Sequence, residues 1–494
     1  MAISFSNVPS GIRVPLFYAE VDNSSANVGT NVLRTLLIGQ KLADGVAVVG
    51  RPVLVTSAEA GKELFGRGSQ LALMNSAYRQ NDGFGEVWAI PMDDPSSGKK
   101  ATCTVTVYGT ASASGVISLY IGAQRVAVGV ENDAEASAIG SAIASAVSSR
   151  PDLPVTANAL EGVVTLTAKN AGDVGNDILV RLNVQGYASG ESIPEGLRVE
   201  VSSMSGGSGA VDLGATIKAM GDEEYDFIAM PFCDTASLDA MKAELDDVAG
   251  RWSPLRQLYG HVYAVKRDTV GNLASFGKQR NDQHCSVIGV EQSLGSLSCE
   301  VLGAVVARVA VSTGNDPARP LQTLELSGIS PAVVGTRFTI GEKQTLLTSG
   351  IATLYTEGGY VRIERMITTY QKNQFGDADV SYLDSETLHT LAYIIRDLRR
   401  IVTSKYARHK LASDGTKYGP GQAVVTPSVI RGEIVAEYER LEEMAIVENT
   451  KLFKKHLVVE RDIQNPNRLN VLLPPDLVNQ LRIFALFAQF RLQF

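Results

Sequence analysis

Strand and helix patterns alternate along two stretches of this 494-residue chain, and this alternation constrains the fold more than any other feature. Between residues 227 and 311, short apolar runs typical of buried strands are separated by segments with helical periodicity. Residues 31–92 have the same character. Strands that alternate with helices at this spacing predict a mainly parallel sheet covered by helices. We therefore expect an α/β core built from both stretches.

The segment between these stretches differs sharply in composition. From about residue 100 to residue 200 the chain is rich in Ala, Ser, Thr, Val and Gly, and short runs alternate apolar and polar residues. This alternation predicts a β-rich module that ends in the Gly- and Ser-rich linker 204–209. Because the α/β pattern resumes beyond the linker, we interpret residues 99–209 as a domain inserted into a core domain of residues 26–98 and 210–340. An inserted domain is most easily accommodated on an outer surface, so we expect it there.

A C-terminal α+β domain is predicted for residues 341–480. A hairpin is expected around Glu357-Gly358-Gly359, and a long helix is expected to begin after Asp384 as its N-cap, with Leu383 and Leu388 at hydrophobic-staple positions. The predicted fold class is therefore α/β and α+β multidomain. It comprises a helix-covered mixed sheet core, an inserted β-rich module, a C-terminal α+β domain, and extended strand arms at both ends of the chain.

Residues 481–494 form the predicted C-terminal strand arm. Apolar residues share one strand parity, and they are Phe484, Leu486, Ala488, Phe490, Leu492 and Phe494. Burial of a Phe side chain stabilises by about 1.5–3 kcal/mol, so the four phenylalanines of this segment represent roughly 6–12 kcal/mol. That sum matches the stability of a whole domain, and we expect the segment to dock in a sheet. Two alternatives stay open: a sheet of its own subunit, or strand donation to a neighbouring subunit.

Residues 1–25 form the predicted N-terminal arm. A short extended piece carries Val14, Phe17, Tyr18 and Val21. Pro15 cannot donate to a ladder, which predicts an edge or added strand rather than a central one. Strands at both ends of a chain suit a polymer whose subunits are linked by their arms.

Composition excludes several function classes. Hydrophobic residues make up 45% of the chain and charged residues 20%, with a formal net charge of −8, so no overall attraction for nucleic acid or an anionic membrane is expected. No apolar stretch is long enough to span a bilayer, and the first residues lack the pattern of a signal peptide. The four cysteines are far apart, which predicts reduced thiols in a soluble protein made in the cytoplasm.

Signals of chemistry are weak throughout the sequence. The run 335–343 does not have the glycine spacing of a phosphate loop, and residues 66–68 lack the third glycine of a dinucleotide-binding motif. Residues 206–210 nearly match the nucleophile-elbow motif, but they lie in a flexible linker rather than in a strand–turn–helix. His284, Cys285 and Cys299 are better interpreted as buried core residues than as metal ligands. We predict no catalytic residue, cofactor or metal, and hence no enzyme. The alternative is an α/β enzyme whose site lies beyond the strand ends of the sheet.

Four segments resemble the tail sheath proteins of Mu-like contractile-tailed phages. These segments are 8–24, 36–40, 115–128 and 172–178, and the resemblance extends over nearly the whole chain. Many contractile sheaths open with a Pro-Gly-Val-Tyr type motif, whereas the matching place here is Pro15-Leu16-Phe17-Tyr18. That departure affects a glycine-dependent turn and leaves the predicted strand unchanged.

The resemblance implies a structural subunit of a contractile tail sheath. Such subunits form hexameric rings stacked helically around a tail tube protein, with baseplate and tail terminator proteins as further partners, and no nucleic acid or membrane. Contraction drives the tube through the host envelope for genome delivery. The implied location is the virion tail, after assembly in the host cytoplasm. The alternative is the sheath of a phage-derived tail-like particle or secretion device.

The same resemblance implies roles for particular residues. The arms would form the subunit interface, and the C-terminal domain would lie nearest the tube. A basic segment and an acidic segment could contact a neighbour or the tube through these residues: Arg396, Arg399, Arg400, Lys405, Arg408, Lys410, Glu437 and Glu442. The alternative interpretation is a solvated face on each helix.

Overall fold

The computed structural model describes residues 33–492, which fold into strands and helices in several sheets and helical layers. The strands are β1 (Arg34–Gln40), β2 (Val53–Leu54), β3 (Glu86–Met92), β4 (Thr102–Gly109), β5 (Gly115–Ile121), β6 (Gln124–Val130), β7 (Val155–Leu160), β8 (Val163–Ala168), β9 (Val180–Leu182), β10 (Leu197–Val201), β11 (Phe227–Ala229), β12 (His261–Arg267), β13 (Cys285–Val290), β14 (Ala352–Glu357), β15 (Tyr360–Arg365), β16 (Lys410–Leu411), β17 (Val424–Val425), β18 (Val458–Arg461) and β19 (Leu469–Leu472). The helices are α1 (Ala58–Phe65), α2 (Gln70–Asn81), α3 (Ala136–Ser148), α4 (Gly214–Met220), α5 (Thr235–Leu245), α6 (Val270–Lys278), α7 (Ser298–Asn315), α8 (Ile340–Thr348), α9 (Ser385–Tyr406), α10 (Pro427–Glu443) and α11 (Thr450–His456). The predicted mixed α/β fold is confirmed.

The core is an eight-stranded sheet in the order β15-β14-β13-β12-β11-β1-β3-β2. Its central strands are parallel, and the edge strands β2 and β15 are antiparallel to their neighbours. Helices cover both faces, as a buried parallel sheet requires. Leu37 faces α2 and α7, whereas Leu36 and Ile38 face the opposite helical layer. Strand β1 is therefore buried on both faces and reads in the sequence as a continuous apolar run.

The β-rich segment consists of two small sheets, β10-β4-β8-β7 and β6-β5-β9, with α3 packed against them. Its incoming and outgoing chains lie side by side. The Lys99 amide donates to the Ser208 carbonyl over 2.8 Å, and the Thr102 amide donates to the Ser205 carbonyl over 2.8 Å. A segment whose two ends meet in this way can be added to a sheet without disturbing the strands that flank it.

The C-terminal part packs α9, α10, α11 and the hairpin β18–β19 around its own apolar cluster. The rings of Tyr438 and Phe453 stack at its centre, with centroids 3.6 Å apart. The structure differs here from the predicted boundary at residues 340/341, because β14 and β15 complete the eight-stranded sheet. Parallel pairing of β13 with β14 holds these two strands in the core.

Helix α9 begins at Ser385, as predicted, but the predicted cap does not form. The Asp384 side chain makes no hydrogen bond to the first turn. It instead accepts two hydrogen bonds from the Arg365 guanidinium, at 2.9 and 3.0 Å. The charged partner competes for the carboxylate more strongly than a backbone amide does. No helix within residues 33–492 has the length and apolarity needed to cross a membrane.

Candidate subunit interface

Residues 483–492, which we call the C-terminal arm, leave the domain without joining a sheet of the described chain. The large apolar side chains of the arm are 77–90% exposed, and they are Ile483, Phe484, Leu486, Phe487, Phe490 and Leu492. At about 1.5–3 kcal/mol for each side chain, burial of the six would provide roughly 9–18 kcal/mol. The single subunit does not gain this free energy, because these side chains remain exposed. Docking in a sheet of its own subunit, one of the two predicted alternatives, is not what this structure shows.

The chain is held by the domain up to the residue before the arm. The Val478 amide donates to the Ile446 carbonyl over 3.3 Å. The Gln480 side chain donates to the Ala318 carbonyl over 2.7 Å, and the Leu481 carbonyl accepts from Gln322 over 3.2 Å. The exposed segment thus starts from a fixed point. The predicted interface residues Val14, Phe17, Tyr18, Val21 and Phe494 lie outside the described residues.

The hairpin β18–β19 is a two-stranded sheet whose outer edges pair with no other strand among residues 33–492. Val459 and Leu469 pack on the C-terminal apolar cluster. Val458 and Leu472 lie opposite each other on the other face, 44% and 63% exposed. A two-stranded sheet is marginally stable alone, and open edges accept further strands. The sequence analysis missed this acceptor, although Asn465-Pro466-Asn467 marks the turn between its two strands.

Several of the predicted contact charges are paired within the chain. Arg396 is 11% exposed and lies 2.7 Å from a Glu224 oxygen and 2.6 Å from an Asp226 oxygen, which ties α9 to the core. Lys405 on α9 forms an ion pair with Glu433 on α10. Glu442 accepts hydrogen bonds from the Thr450 amide and hydroxyl at 3.0 and 2.6 Å and so holds the start of α11.

Three predicted contact charges stay available on the surface. Arg399, Arg408 and Lys410 are exposed, and none forms an ion pair with another residue in the described part of the chain. They lie along the outer side of α9 and at its end, where the chain continues into the exposed loop 413–423. Of the basic group named from the sequence, these residues are the ones still free to meet a partner.

A carboxyl pair joins α9 to α10. Asp397 lies 2.6 Å from Arg400 and 2.7 Å from Arg440, and Arg440 also pairs with Glu437. Burial first, and then the hydrogen bond to the Asp397 carboxylate, raise the pKa of Glu437 to about 7, against the lowering effect of Arg440. Burial alone would raise the pKa of Asp397, but hydrogen bonds from Glu437 and Arg400 hold it below its usual value. The pair therefore shares one proton near neutral pH.

This pair predicts a pH dependence of stability. Because the pKa of Glu437 is raised above its unfolded value of 4.5, the folded state binds more protons between pH 4.5 and about 7. Stability should fall as pH rises through that window, by about 1–3 kcal/mol from this group. The variant Glu437→Gln should lose this part of the slope in urea unfolding measured across the window. An unchanged slope in the variant would contradict the assignment.

One crevice lies beyond the strand ends, where an α/β enzyme would bind its ligand, and the β-rich segment lines part of it. It lies at the carboxyl ends of β1, β11 and β12, where the strand order reverses, with a volume of about 230 Å³. Residues 172–177 and 209–211 form part of its wall. Within residues 33–492, no group of three or more His, Cys, Asp or Glu side chains is arranged to hold a metal ion.

Two protein-family models together match most of the C-terminal three-fifths of the chain. The model of the phage tail sheath protein central domain matches residues 206–369. The model of the phage tail sheath C-terminal domain matches residues 377–491. The second match includes the hairpin β18–β19 and all but the last residue of the arm described above.

Individual relatives are similar over nearly the full length. The chain is 40% identical to the Mu-like prophage FluMu tail sheath protein of Haemophilus influenzae, with 99% of this chain and 100% of the relative covered. A solved sheath tail protein from Desulfitobacterium hafniense is 14% identical, with a TM-score of 0.49 and 95% and 97% of the two chains covered. The sheath of an extracellular contractile injection system in its contracted state is 10% identical, with a TM-score of 0.47 and 99% of each chain covered.

Proposed function

Because the chain belongs to the phage tail sheath protein family, whose members are structural proteins and not enzymes, we propose that it is the repeating subunit of a contractile tail sheath. Its copies form hexameric rings that stack helically around the tail tube. Contraction of this sleeve drives the tube through the host cell envelope for genome delivery. The observation that carries the proposal is the C-terminal arm, whose apolar side chains are exposed in the single subunit.

The arm joins subunits by adding a strand to the β18–β19 hairpin of a neighbour. Three features support this. The arm has unused apolar surface, the hairpin has open edges, and Val458 and Leu472 offer apolar contacts on its exposed face. Main-chain hydrogen bonds along such an added strand supply affinity, and alternate side-chain contacts supply specificity.

The sequence of the arm indicates how deeply each part is enclosed. Ile483, Phe484, Leu486 and Phe487 occupy both strand parities near the base. Farther along, apolar residues keep one parity, and Gln489 and Arg491 take the other. A strand that is apolar on both faces fits a fully enclosed site, and an alternating strand fits a half-exposed one. The base of the arm would therefore be covered on both sides, and its end on one side.

Contraction needs no cofactor in this account. The extended sleeve is a metastable polymer, and its contracted form makes more or better interface between subunits. Each subunit moves as a rigid body while the arms stay joined. The inserted domain faces outward, and the N-terminal arm adds a second link between neighbours.

The C-terminal domain faces the tube. Arg399, Arg408 and Lys410 supply exposed positive charge there for an acidic tube surface or a neighbouring subunit. Such charges set register and steering more than affinity. Baseplate and tail terminator proteins meet the two ends of the sleeve in the virion tail, which is assembled in the host cytoplasm.

Negative-stain microscopy of the purified chain tests the proposal. We expect long hollow sleeves, and we expect their assembly to slow as salt is raised, because exposed charges are screened. Discrete globular particles under every buffer condition would contradict a sheath subunit. Sleeves that form at the same rate at low and high salt would contradict only the role given to the three exposed charges.

A further inference from the structure

Arg482 is the last residue that the domain holds before the arm begins. Its side chain is 11% exposed, and its guanidinium lies 2.9 Å from a Glu386 oxygen and 3.2 Å from an Asp384 oxygen. The same guanidinium donates to the Gln322 side chain over 3.3 Å and to that of Gln480. A long basic side chain is thus buried at the point where an exposed apolar segment leaves the protein.

The partner of Arg482 is a buried carboxylate. Glu386 is 1% exposed and also accepts a hydrogen bond from the Leu321 amide over 3.0 Å. Burial raises the pKa of Glu386, and the nearby Arg482 guanidinium lowers it. A buried carboxylate is retained only where a charged partner and hydrogen bonds compensate its desolvation. Arg482 supplies that charge from a position 96 residues away in the sequence.

These contacts rest on rigid parts of the molecule. Asp384 is held by two hydrogen bonds from Arg365 at the end of β15. One turn along α9, His389 accepts or donates a 2.7 Å hydrogen bond with the Tyr263 hydroxyl on β12. The base of the arm is therefore connected through α9 to both the edge and the middle of the eight-stranded sheet.

The backbone itself does little to fix residues 479–482. Val478 makes the last amide-to-carbonyl bond to the domain, and after it only side-chain contacts hold the chain. Gln322 and Gln480, which make the remaining contacts, are themselves hydrogen-bonded to Arg482. If Arg482 released its carboxylates and these contacts were then lost, up to four residues would be freed, adding about 13 Å of reach. A shift of one residue along a neighbour's strand would turn every side chain of the arm to the wrong face.

We propose that Arg482 is a positioning residue that fixes the direction and the free length of the arm, so that its strand meets a neighbouring subunit in one register. The use of that register rests on the proposed function, whereas the fixing of the arm is a property of the single subunit. The partner is a second copy of this chain.

The test compares the double variant Arg482→Gln with Glu386→Gln against the unaltered chain. The double variant removes the anchor without leaving Glu386 charged and unpaired, so the fold should survive. Spin labels placed at Phe487→Cys on the arm and Ser404→Cys on α9 report a distance distribution in unassembled subunits, with half-buried Cys233 replaced by Ala. We expect a distribution roughly 1.3-fold broader in the double variant, because the free segment up to the label lengthens from five residues to nine and the spread of a flexible chain grows with the square root of its length. Arg319→Gln, an exposed arginine beside the same segment, is the matched control and should leave the width unchanged.

Each outcome bears on a distinct statement. Equal widths in the double variant and the unaltered chain would overturn the anchor, whether or not sleeves form. A broader distribution with an unchanged critical concentration for sleeve assembly would overturn the positioning role. Failure of the unaltered chain to form sleeves would count against the proposed function, and the width comparison would still decide whether Arg482 fixes the arm.

Discussion

Deletion of residues 484–494 is expected to abolish sleeve assembly while the subunit stays folded. The reason is that the arm buries almost nothing in its own subunit: Phe484, Phe487 and Phe490 are 79%, 90% and 81% exposed. Removing exposed side chains changes the free energy of unfolding little, but it removes the surface that an added strand would bury. Thermal unfolding and negative-stain microscopy of the truncated chain measure the two effects separately.

Single substitutions refine this expectation. Phe490→Ser should raise the critical concentration for assembly roughly 10- to 150-fold, which corresponds to about 1.5–3 kcal/mol of lost burial. Gln489→Ser, on the opposite parity, is the matched control and should have little effect. If the truncated chain unfolds, the arm belongs to the core of its own subunit. If the truncated chain assembles as the full chain does, the arm does not link the subunits.

The second large effect is expected in the core, at Gly303→Ala on α7. A Cβ atom at Gly303 would lie 2.2 Å from the Met74 carbonyl oxygen on α2, so one helix backbone would have to move. Overpacking of this kind costs about 1–3 kcal/mol or more, and it outweighs the gain of about 1 kcal/mol in helix propensity from Gly to Ala. We expect a clear loss of unfolding free energy in urea titration.

Gly314→Ala in the same helix is the matched control. The nearest atom to a Cβ there is Leu33 Cδ1 at 3.9 Å, which is an ordinary contact. The substitution should be neutral or slightly stabilising. Equal stabilities of the two variants would contradict the close packing of α2 on α7 that supports the central sheet.

The α/β core was predictable because buried parallel strands and their covering helices leave a local signal. Continuous apolar runs such as that of β1 identify strands buried on both faces, and the break in composition near residue 100 marks the start of the β-rich segment. The family resemblance was likewise predictable from short motifs, and it is confirmed by the full-length relative. The predicted N-cap of α9 was wrong, because the Asp384 carboxylate accepts hydrogen bonds from Arg365 instead of from the first turn of the helix.

The candidate interface was predictable only in part. Parity and energetics indicated that the end of the chain must be buried, but they could not say in which subunit. The pairing of Arg482 with Glu386, and of Lys405 with Glu433, joins residues far apart in the sequence, and no local pattern predicts which charge meets which. For the same reason the sequence predicted that the basic and acidic segments contact a partner, although ion pairs between α9 and α10 neutralise much of their charge.

The central claim is that the arm of one copy lies on the β18–β19 hairpin of another. A photo-crosslinking residue at position 487, in sleeves assembled from a mixture of isotope-labelled and unlabelled chains, tests it most directly. Peptide mapping is expected to find crosslinks between residue 487 and residues 458–472 that join labelled to unlabelled chains. Crosslinks confined to single chains, or joining position 487 to a different surface, would contradict the account.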